Sequence, residues 1–450
     1  MTMPRHHLDR SAGSQARGLA SSPSDYAWNV NFNSGNVNYN NRDNHNRALA
    51  VCRPAPASEG QGVTYKELYQ ALVKARRGKV ASVNQMRFDY RWMDGLLELQ
   101  QAINSRTWSP RKTTCFIATR PKTREIHAPD FADRVVHHCI VPKLEAIYEP
   151  TFIFDSFANR KRKGSHKAVE RLRGFARQVY SGQGGGWYLQ LDIRNYFLSL
   201  HRPTLYKMLK ERMVKHAVPD HVQHVVHALL RHSVAKQGVI HCSTPAERAQ
   251  VPPHKQLENA GPGCGLPIGN LTSQFFANVY LDKLDQFVKR VLRVDRYVRY
   301  VDDFVLVHRD RAQLETWLAQ IRTFLRDELK LELKDDIRLR SLSAGIDFLG
   351  YVIYPTHTRV RRRVLRHANE SLSAWRQNHT HGDQAHATPE DYRRLDSIWA
   401  SYQGHMRHAN AHRLQQRMLD RQPWLKTLTS TKRRFSHKLE GQRITIKVKS

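Results

Sequence analysis

Apolar positions fall into helical and strand-like runs along most of the chain. Thr64 and Glu67 have capping-box spacing, and Leu68, Leu72 and Val73 carry the pattern into an amphipathic helix. A second helix is predicted from Arg91 to Ile103 on Trp92, Leu96, Leu97 and Leu99. A third runs from Phe131 to Ile147 on Val135, Val136, Ile140 and Leu144. Between them, 116–126 reads as a hairpin broken at Pro121. Further on, Trp187–Ile193 reads as a short strand, Pro219–Leu230 as a helix and Ser273–Val291 as a strongly apolar helix. Tyr297–Val307 reads as a second hairpin and Ile346–Ile353 as one more strand. Residues 234–263 form a long polar insertion, and the chain beyond Pro355 turns helical and basic.

The N-terminal region lacks this order. Residues 1–24 form a basic arm without periodicity, and nine of the 18 residues from Asn29 to Asn46 are Asn. Such a segment, closed by Pro54, Pro56 and Gly60, cannot bury a core alone. Charge changes the picture next. The 450 residues carry 73 Lys and Arg against 40 Asp and Glu, a formal charge of +33. Self-repulsion of that size asks for a polyanion, and nucleic acid is the first partner it implies. Five cysteines without a Cys-x-x-Cys pair argue against a disulfide framework or zinc ribbon and suit a reducing cytoplasm. No apolar run is long enough to span a membrane. Gly182–Gly186 is not followed by the Gly-Lys-Ser/Thr of a phosphate loop.

The sharpest chemical signal is Asp302-Asp303, set between Tyr300-Val301 and Phe304-Val305-Leu306-Val307. Asp335-Asp336, in a Lys- and Glu-rich stretch, is an ordinary solvated pair by comparison. Two acids on a hairpin of buried strands need cations, and divalent metal is the natural answer. Asp192 ends another apolar strand. Three aspartates on adjacent strand ends could hold two Mg²⁺ roughly 3.5–4 Å apart. His221, His224 and His227 repeat at every third residue, but Val222, Val225, Val226 and Leu229 make the apolar stripe. The histidines are therefore expected on the wet side, and zinc there is disfavoured.

These motifs together resemble those of reverse transcriptases. Leu191-Asp192-Ile193-Arg194-Asn195-Tyr196-Phe197 resembles the first palm motif, and Tyr300-Val301-Asp302-Asp303 the Tyr-x-Asp-Asp box. Gly265 to Gln274 is similar to the motif that contacts template and nucleotide, and Gly345 to Tyr351 to the Phe-Leu-Gly segment near the primer grip. The resemblance spans roughly residues 62–355 and implies an α+β right-hand polymerase. Its antiparallel sheet would carry the catalytic aspartates, flanked by helices. The expected plan is fingers at 62–186, palm at 187–355, a helical thumb at 356–425 and a basic tail at 426–450, after the N-terminal 1–61. Asp192, Asp302 and Asp303 become the metal ligands and catalytic acids, Phe197 an aromatic gate against the ribose 2′-oxygen, and Arg124 the arginine that clamps the triphosphate. Arg120, Lys122 and Lys334 match more loosely, Lys334 near a lysine the family uses to protonate pyrophosphate. Gln274 and Ile268 fall beside the nascent pair.

Ile268 departs from the Gln that most retroviral and intron-encoded relatives carry before that Gly. An aliphatic residue followed by Ser-Gln resembles enzymes of diversity-generating retroelements, which copy a template-repeat RNA with errors at adenines. The Asn-rich segment resembles the diversified end of their target proteins, since Asn codons begin with two adenines. A defence-associated reverse transcriptase shares the palm motifs, and a non-catalytic RNA-binding protein on a polymerase fold is the rival from another class. The resemblance implies template RNA, a cDNA/RNA hybrid and dNTPs as partners, with a basic helical accessory protein. Arg359, Arg361, Arg362, Arg363 and Arg366 are expected to surround a thumb helix on the hybrid duplex, and Arg160, Lys161, Arg162 and Lys163 to hold the template.

Overall fold

The computed structural model describes residues 62–78, 80–119, 122–183, 185–234, 238–430 and 443–448, with backbone strands at Arg17–Gly18, Tyr26–Val30 and Val37–Asn41. Those three strands pair antiparallel. The rest of the N-terminal arm and Asn-rich segment, Arg120, Pro121 and much of the basic tail lie outside the described residues. The described chain divides into two compact units. One takes in residues up to 147 with 209–252 and 267–272; the other takes in 148–208, 253–266 and the chain from 273. Each unit groups segments that lie far apart in sequence.

In the first unit, the capping box forms: Thr64 Oγ1 accepts from the Glu67 N–H at 3.2 Å, and the Glu67 carboxylate accepts from the Thr64 N–H at 2.8 Å. The Tyr65–Arg76 helix buries Leu68, Ala71, Leu72 and Ala75 but leaves Val73 exposed. It packs on Trp92–Asn104, which buries Met93, Leu96, Leu99 and Ile103. Between them lies a helix without a strong apolar period, Val83–Tyr90, capped by Ser82. The hairpin is Thr113–Ala118 with Arg124–Ala128, and Val239–His241 from the polar insertion adds a third, parallel strand. That insertion also holds a helix, Pro245–Ala249, with its own Thr244–Glu247 capping box. His221, expected on the wet side, is buried, and His224 Nε2 sits 3.2 Å from the Trp108 carbonyl. The apolar stripe of Asp220–Arg231 is wide enough to take a histidine in.

The second unit is built on a four-stranded antiparallel sheet of β1 (Trp187–Asp192), β2 (Tyr297–Tyr300), β3 (Asp303–His308) and β4 (Arg338–Ser341), in the order β4-β1-β3-β2. Both faces are covered, which is why β1 and β3 read as nearly continuous apolar runs. Val305 and Val307 of β3 pack with Tyr188 and Val298 against α1 (Ser165–Gln183), through Val169, Leu172, Ala176 and Val179. α2 (Leu271–Gln286) and α3 (Arg311–Leu329) complete the layers, α3 burying Leu314, Ile321 and Leu325.

Residues 346–353 are not one strand. Leu349 and Gly350, at φ 49° and 90°, make a two-residue turn between β5 (Ile346–Phe348) and β6 (Tyr351–Ile353), and β7 (Thr358–Val360) pairs beside them. The C-terminal region packs helices Arg362–His379, Pro389–Met406, His412–Asp420 and Pro423–Ser430 around Trp375, Trp399 and Trp424. It is not purely helical: a hairpin at 380–387 pairs with Ile444–Lys447, so this part of the expected tail is an edge strand.

Candidate active site

The four-stranded sheet brings the predicted acids to one end. Asp192, the last residue of β1, lies directly opposite Asp303, the first of β3, and Asp303 is also opposite Tyr300 of β2. Asp302 sits in the two-residue turn, preceded by Val301 at φ 58°. A β-branched residue in the left-handed region is strained, and such strain persists only where surroundings hold it. Here Arg299 Nη1 donates to the Val301 carbonyl at 2.9 Å.

Each acid has a distinct setting. Burial pushes the Asp303 carboxyl up to about 7, helped by the Asp192 and Asp302 charges and opposed by the Gln190 amide and Arg338. Gln190 Nε2 donates to Asp303 Oδ1 and to the Asp347 carbonyl, both at 3.0 Å. Lys334 Nζ donates to Asp192 Oδ2 at 2.5 Å, and its backbone N–H to the Asp192 carbonyl at 2.8 Å. Asp192 Oδ1 is buried without a hydrogen-bond partner. Asp192 and Asp303 on facing strand ends, Asp302 in the adjoining turn and one Asp192 oxygen without a partner offer the hard oxygen donors that suit a divalent cation such as Mg²⁺.

Beneath the turn lies a buried polar network. Arg299 pairs with Asp285, and Tyr297 Oη donates to Asp285 Oδ1 at 2.7 Å. Arg299 Nη2 also donates to Ser156 Oγ at 3.0 Å, and its backbone N–H to the Asp155 carbonyl at 3.0 Å. Neither Gln190 nor Arg299 was among the expected site residues. A polar side chain two residues before Asp192, hence on the same face of an apolar strand, was the available signal for Gln190.

Phe197 is half-buried on the short Tyr196–Ser199 helix, its carbonyl accepting from Leu266 N–H at 2.7 Å. Gln274 is exposed on α2. Arg124 and Ile268 belong to the first unit: Arg124 is exposed at the start of its strand, and the Ile268 carbonyl accepts from the His127 N–H at 2.8 Å. Gly269 follows at φ 121°, where a Cβ would meet Ile126 Cγ2 at 3.0 Å and the His127 carbonyl at 3.2 Å. Lys122 is exposed.

The basic clusters need two corrections. Arg160 does not face outward: its Nε donates to Glu149 at 3.0 Å and its Nη1 to the carbonyls of Ile153 and Ser156 at 2.6 and 2.8 Å. Its guanidinium holds the loop together because it is nearly enclosed. Lys163 donates to the Phe154 carbonyl at 2.8 Å and lies over the Phe154 ring, which leaves Lys161 and Arg162 as the exposed cations of that run. Nor do the five arginines surround one helix. Arg359 is on β7, Arg361 stands just before the helix and pairs with Asp347 at 2.8 Å, and only Arg362, Arg363 and Arg366 are helical.

Residues 110–353, more than half of the chain, match the family described as reverse transcriptase (RNA-dependent DNA polymerase). The chain is 25% identical to protein YkfC of Escherichia coli (strain K12) over 51% of its own length and 63% of that protein. It is 23% identical to the group II intron-encoded protein LtrA of Lactococcus lactis subsp. cremoris over 58% of its length and 49% of that protein. It thus spans about half of one of these curated relatives and less than two-thirds of the other. Among solved structures, an apo telomerase from Candida tropicalis, truncated from its C-terminal domain, aligns with a TM-score of 0.42 at 11% identity over 55% of each chain. A telomerase from Candida albicans aligns with a TM-score of 0.37 at 13% identity over 67% of this chain and 61% of that one.

Proposed function

The chain belongs to the reverse transcriptase family, and from that premise we propose that it is an RNA-directed DNA polymerase that copies a template-repeat RNA into cDNA with errors directed to adenines. The observation that carries the polymerase reading is the in-register pairing of Asp192 with Asp303, with Asp302 in the adjoining turn. Asp192, Asp302 and Asp303 would hold two Mg²⁺, which when bound make a primer 3′-hydroxyl a better nucleophile and neutralise departing pyrophosphate. The protein's own groups do the positioning. Gln190 fixes the Asp303 carboxylate, the Arg299 network fixes the turn, and Lys334 places an ammonium beside Asp192, where it can give a proton to a leaving phosphate. Phe197 is the proposed gate against the ribose 2′-oxygen. Arg124 is the proposed triphosphate contact, where a guanidinium fork suits phosphate oxygens. Lys161, Arg162, Arg359, Arg362, Arg363 and Arg366 are the proposed contacts to template and hybrid.

Ile268 supports the diversifying reading. An aliphatic side chain offers no hydrogen bond, so a mispair loses less relative to the right pair. The partners of this reading are template RNA, dNTPs and a basic helical accessory protein, in the cytoplasm. Among the described residues, no helix is long and apolar enough to cross a membrane. Primer extension on an RNA template with dNTPs and Mg²⁺ tests the activity, with Asp302→Ala as control. Sequencing the products tests the error pattern: errors spread evenly over the four template bases would remove the adenine-directed part.

A further inference from the structure

The Thr113–Ala118 and Arg124–Ala128 hairpin carries chemistry on the face opposite Arg124. Cys115 pairs in register with His127 and Ile117 with Glu125, so Cys115, Glu125 and His127 share one side of the ladder. Their sulfur, oxygen and nitrogen atoms all lie within 4.8 Å of one another. Glu125 Oε2 is 3.0 Å from His127 Nε2. Cys115 is 1% and His127 3% exposed, and His127 Nδ1 has no hydrogen-bond partner. The third strand runs beside Cys115, which pairs in register with His241. Cys242, immediately after Val239–His241, donates its backbone N–H to the Cys115 carbonyl at 2.9 Å.

We propose that Cys115, Glu125 and His127 form a zinc site with three protein donors. A thiolate, an imidazole and a carboxylate are the donor types zinc takes, at roughly 2.0–2.3 Å each and tetrahedrally disposed. That geometry sets donors roughly 3.3–3.8 Å apart, so a set within 4.8 Å, with its Glu125–His127 pair at 3.0 Å, needs only small shifts. The thiol separates this site from the Mg²⁺-type acid cluster on β1 and β3, since hard cations avoid sulfur. Without an ion, burial and the Glu125 charge push the Cys115 thiol up to about 12. A bound cation reverses that balance, and the Cys115 proton leaves to solvent as the metal–sulfur bond forms.

The site would tie the two arms of the hairpin together. The Cys115 arm pairs through its backbone with 239–242, and His127 in turn holds the Ile268 carbonyl through its backbone N–H. The strand that carries Arg124 and the Ile268-Gly269 turn would then share one rigid support.

The test uses the full chain, stripped with EDTA, dialysed and titrated with Zn²⁺ alone, then with Co²⁺ as a spectroscopic probe. The expected result is one equivalent of zinc retained through gel filtration. Cobalt should give tetrahedral d–d bands with a thiolate-to-metal absorption in the near ultraviolet. Cys115→Ser should lose the thiolate absorption and the retained zinc, and His127→Gln the retained zinc. A wild-type chain that retains no zinc overturns the proposal, as does a cobalt spectrum without thiolate character or zinc retention unchanged in Cys115→Ser. The wild-type cobalt spectrum decides without a variant if the substitutions prevent folding.

Discussion

The Arg299 guanidinium holds the Asp285 carboxylate at two points, Nε to Oδ1 at 2.8 Å and Nη2 to Oδ2 at 2.6 Å, with both side chains fully buried. Asp285 also keeps the Tyr297 hydroxyl, and burial with the Asp285 charge raises that phenol well above its ordinary value. The remaining arm of Arg299 fixes the Val301 carbonyl in the strained turn. Arg299→Lys, which keeps the charge but loses the fork, should therefore destabilise the protein by about 1–3 kcal/mol, the usual cost of leaving buried hydrogen-bonding groups without partners. Urea unfolding measures that loss. Primer extension at a temperature where the variant is folded should still fall, because the turn no longer has its anchor. Full activity in the folded variant would confine Arg299 to a structural part.

Asp192→Asn, Asp302→Asn and Asp303→Asn should each lower extension by roughly 100- to 1,000-fold, the order seen when one preorganised charge-stabilising group is removed. RNA affinity, measured by filter binding, should stay near wild type, since no phosphate contact is lost. EDTA should abolish extension, and added Mg²⁺ should restore it. A wild-type chain that binds RNA but never extends a primer would favour the non-catalytic reading.

Ile268→Gln should lower misincorporation opposite template adenine and leave the other template bases little changed. Sequenced extension products supply the readout. An unchanged error spectrum would remove Ile268 from the explanation.

Two buried groups one turn apart on the Phe131–Tyr148 helix oppose each other in pH. Burial, with the His138 and Arg134 charges, lowers His137 to about 3, and both its ring nitrogens lack partners. Between about pH 3 and 6.5 the unfolded chain binds more protons at this site, so stability rises with pH, by at most about 1.4 kcal/mol per unit. Burial pushes Asp133 up to about 7 against the Arg111 N–H that it accepts at 2.7 Å. From the ordinary Asp value to about 7 the folded chain holds the extra proton, so stability falls as pH rises. The two slopes offset each other over roughly pH 4 to 6.5. Relative to wild type, His137→Leu should lose stability with rising pH in that window and Asp133→Asn should gain it. Urea midpoints at several pH values check both signs; parallel curves for all three proteins would refute them.

The local signals in the sequence carried a good deal of the fold. The Thr64–Glu67 cap, both hairpins and the strand ending at Asp192 appear where periodicity and breaker residues put them. Motif order also anticipated the shared end of Asp192 and Asp303. What escaped were properties set by partners distant in the chain. Gln190 meets Asp303 across 113 residues, and Arg299 reaches Ser156 across 143, so neither role shows in a local pattern. Arg160 reads as a phosphate contact in a basic run, yet Glu149 and two carbonyls enclose it. His221 looks solvent-facing only if the apolar stripe is drawn too narrowly. The Leu349-Gly350 turn escaped because a bulky residue at positive φ carries no sequence signature.

The β1–β3 ladder has one further consequence, for how the gene tolerates change. Because neighbouring side chains on a strand point to opposite faces, slipping the ladder by one position would carry Asp192 to the wrong side of the sheet. Point substitutions at the apolar positions of 187–191 can be absorbed by repacking. Deleting or inserting a single codon there cannot, so length in this stretch should be held far more tightly than spelling.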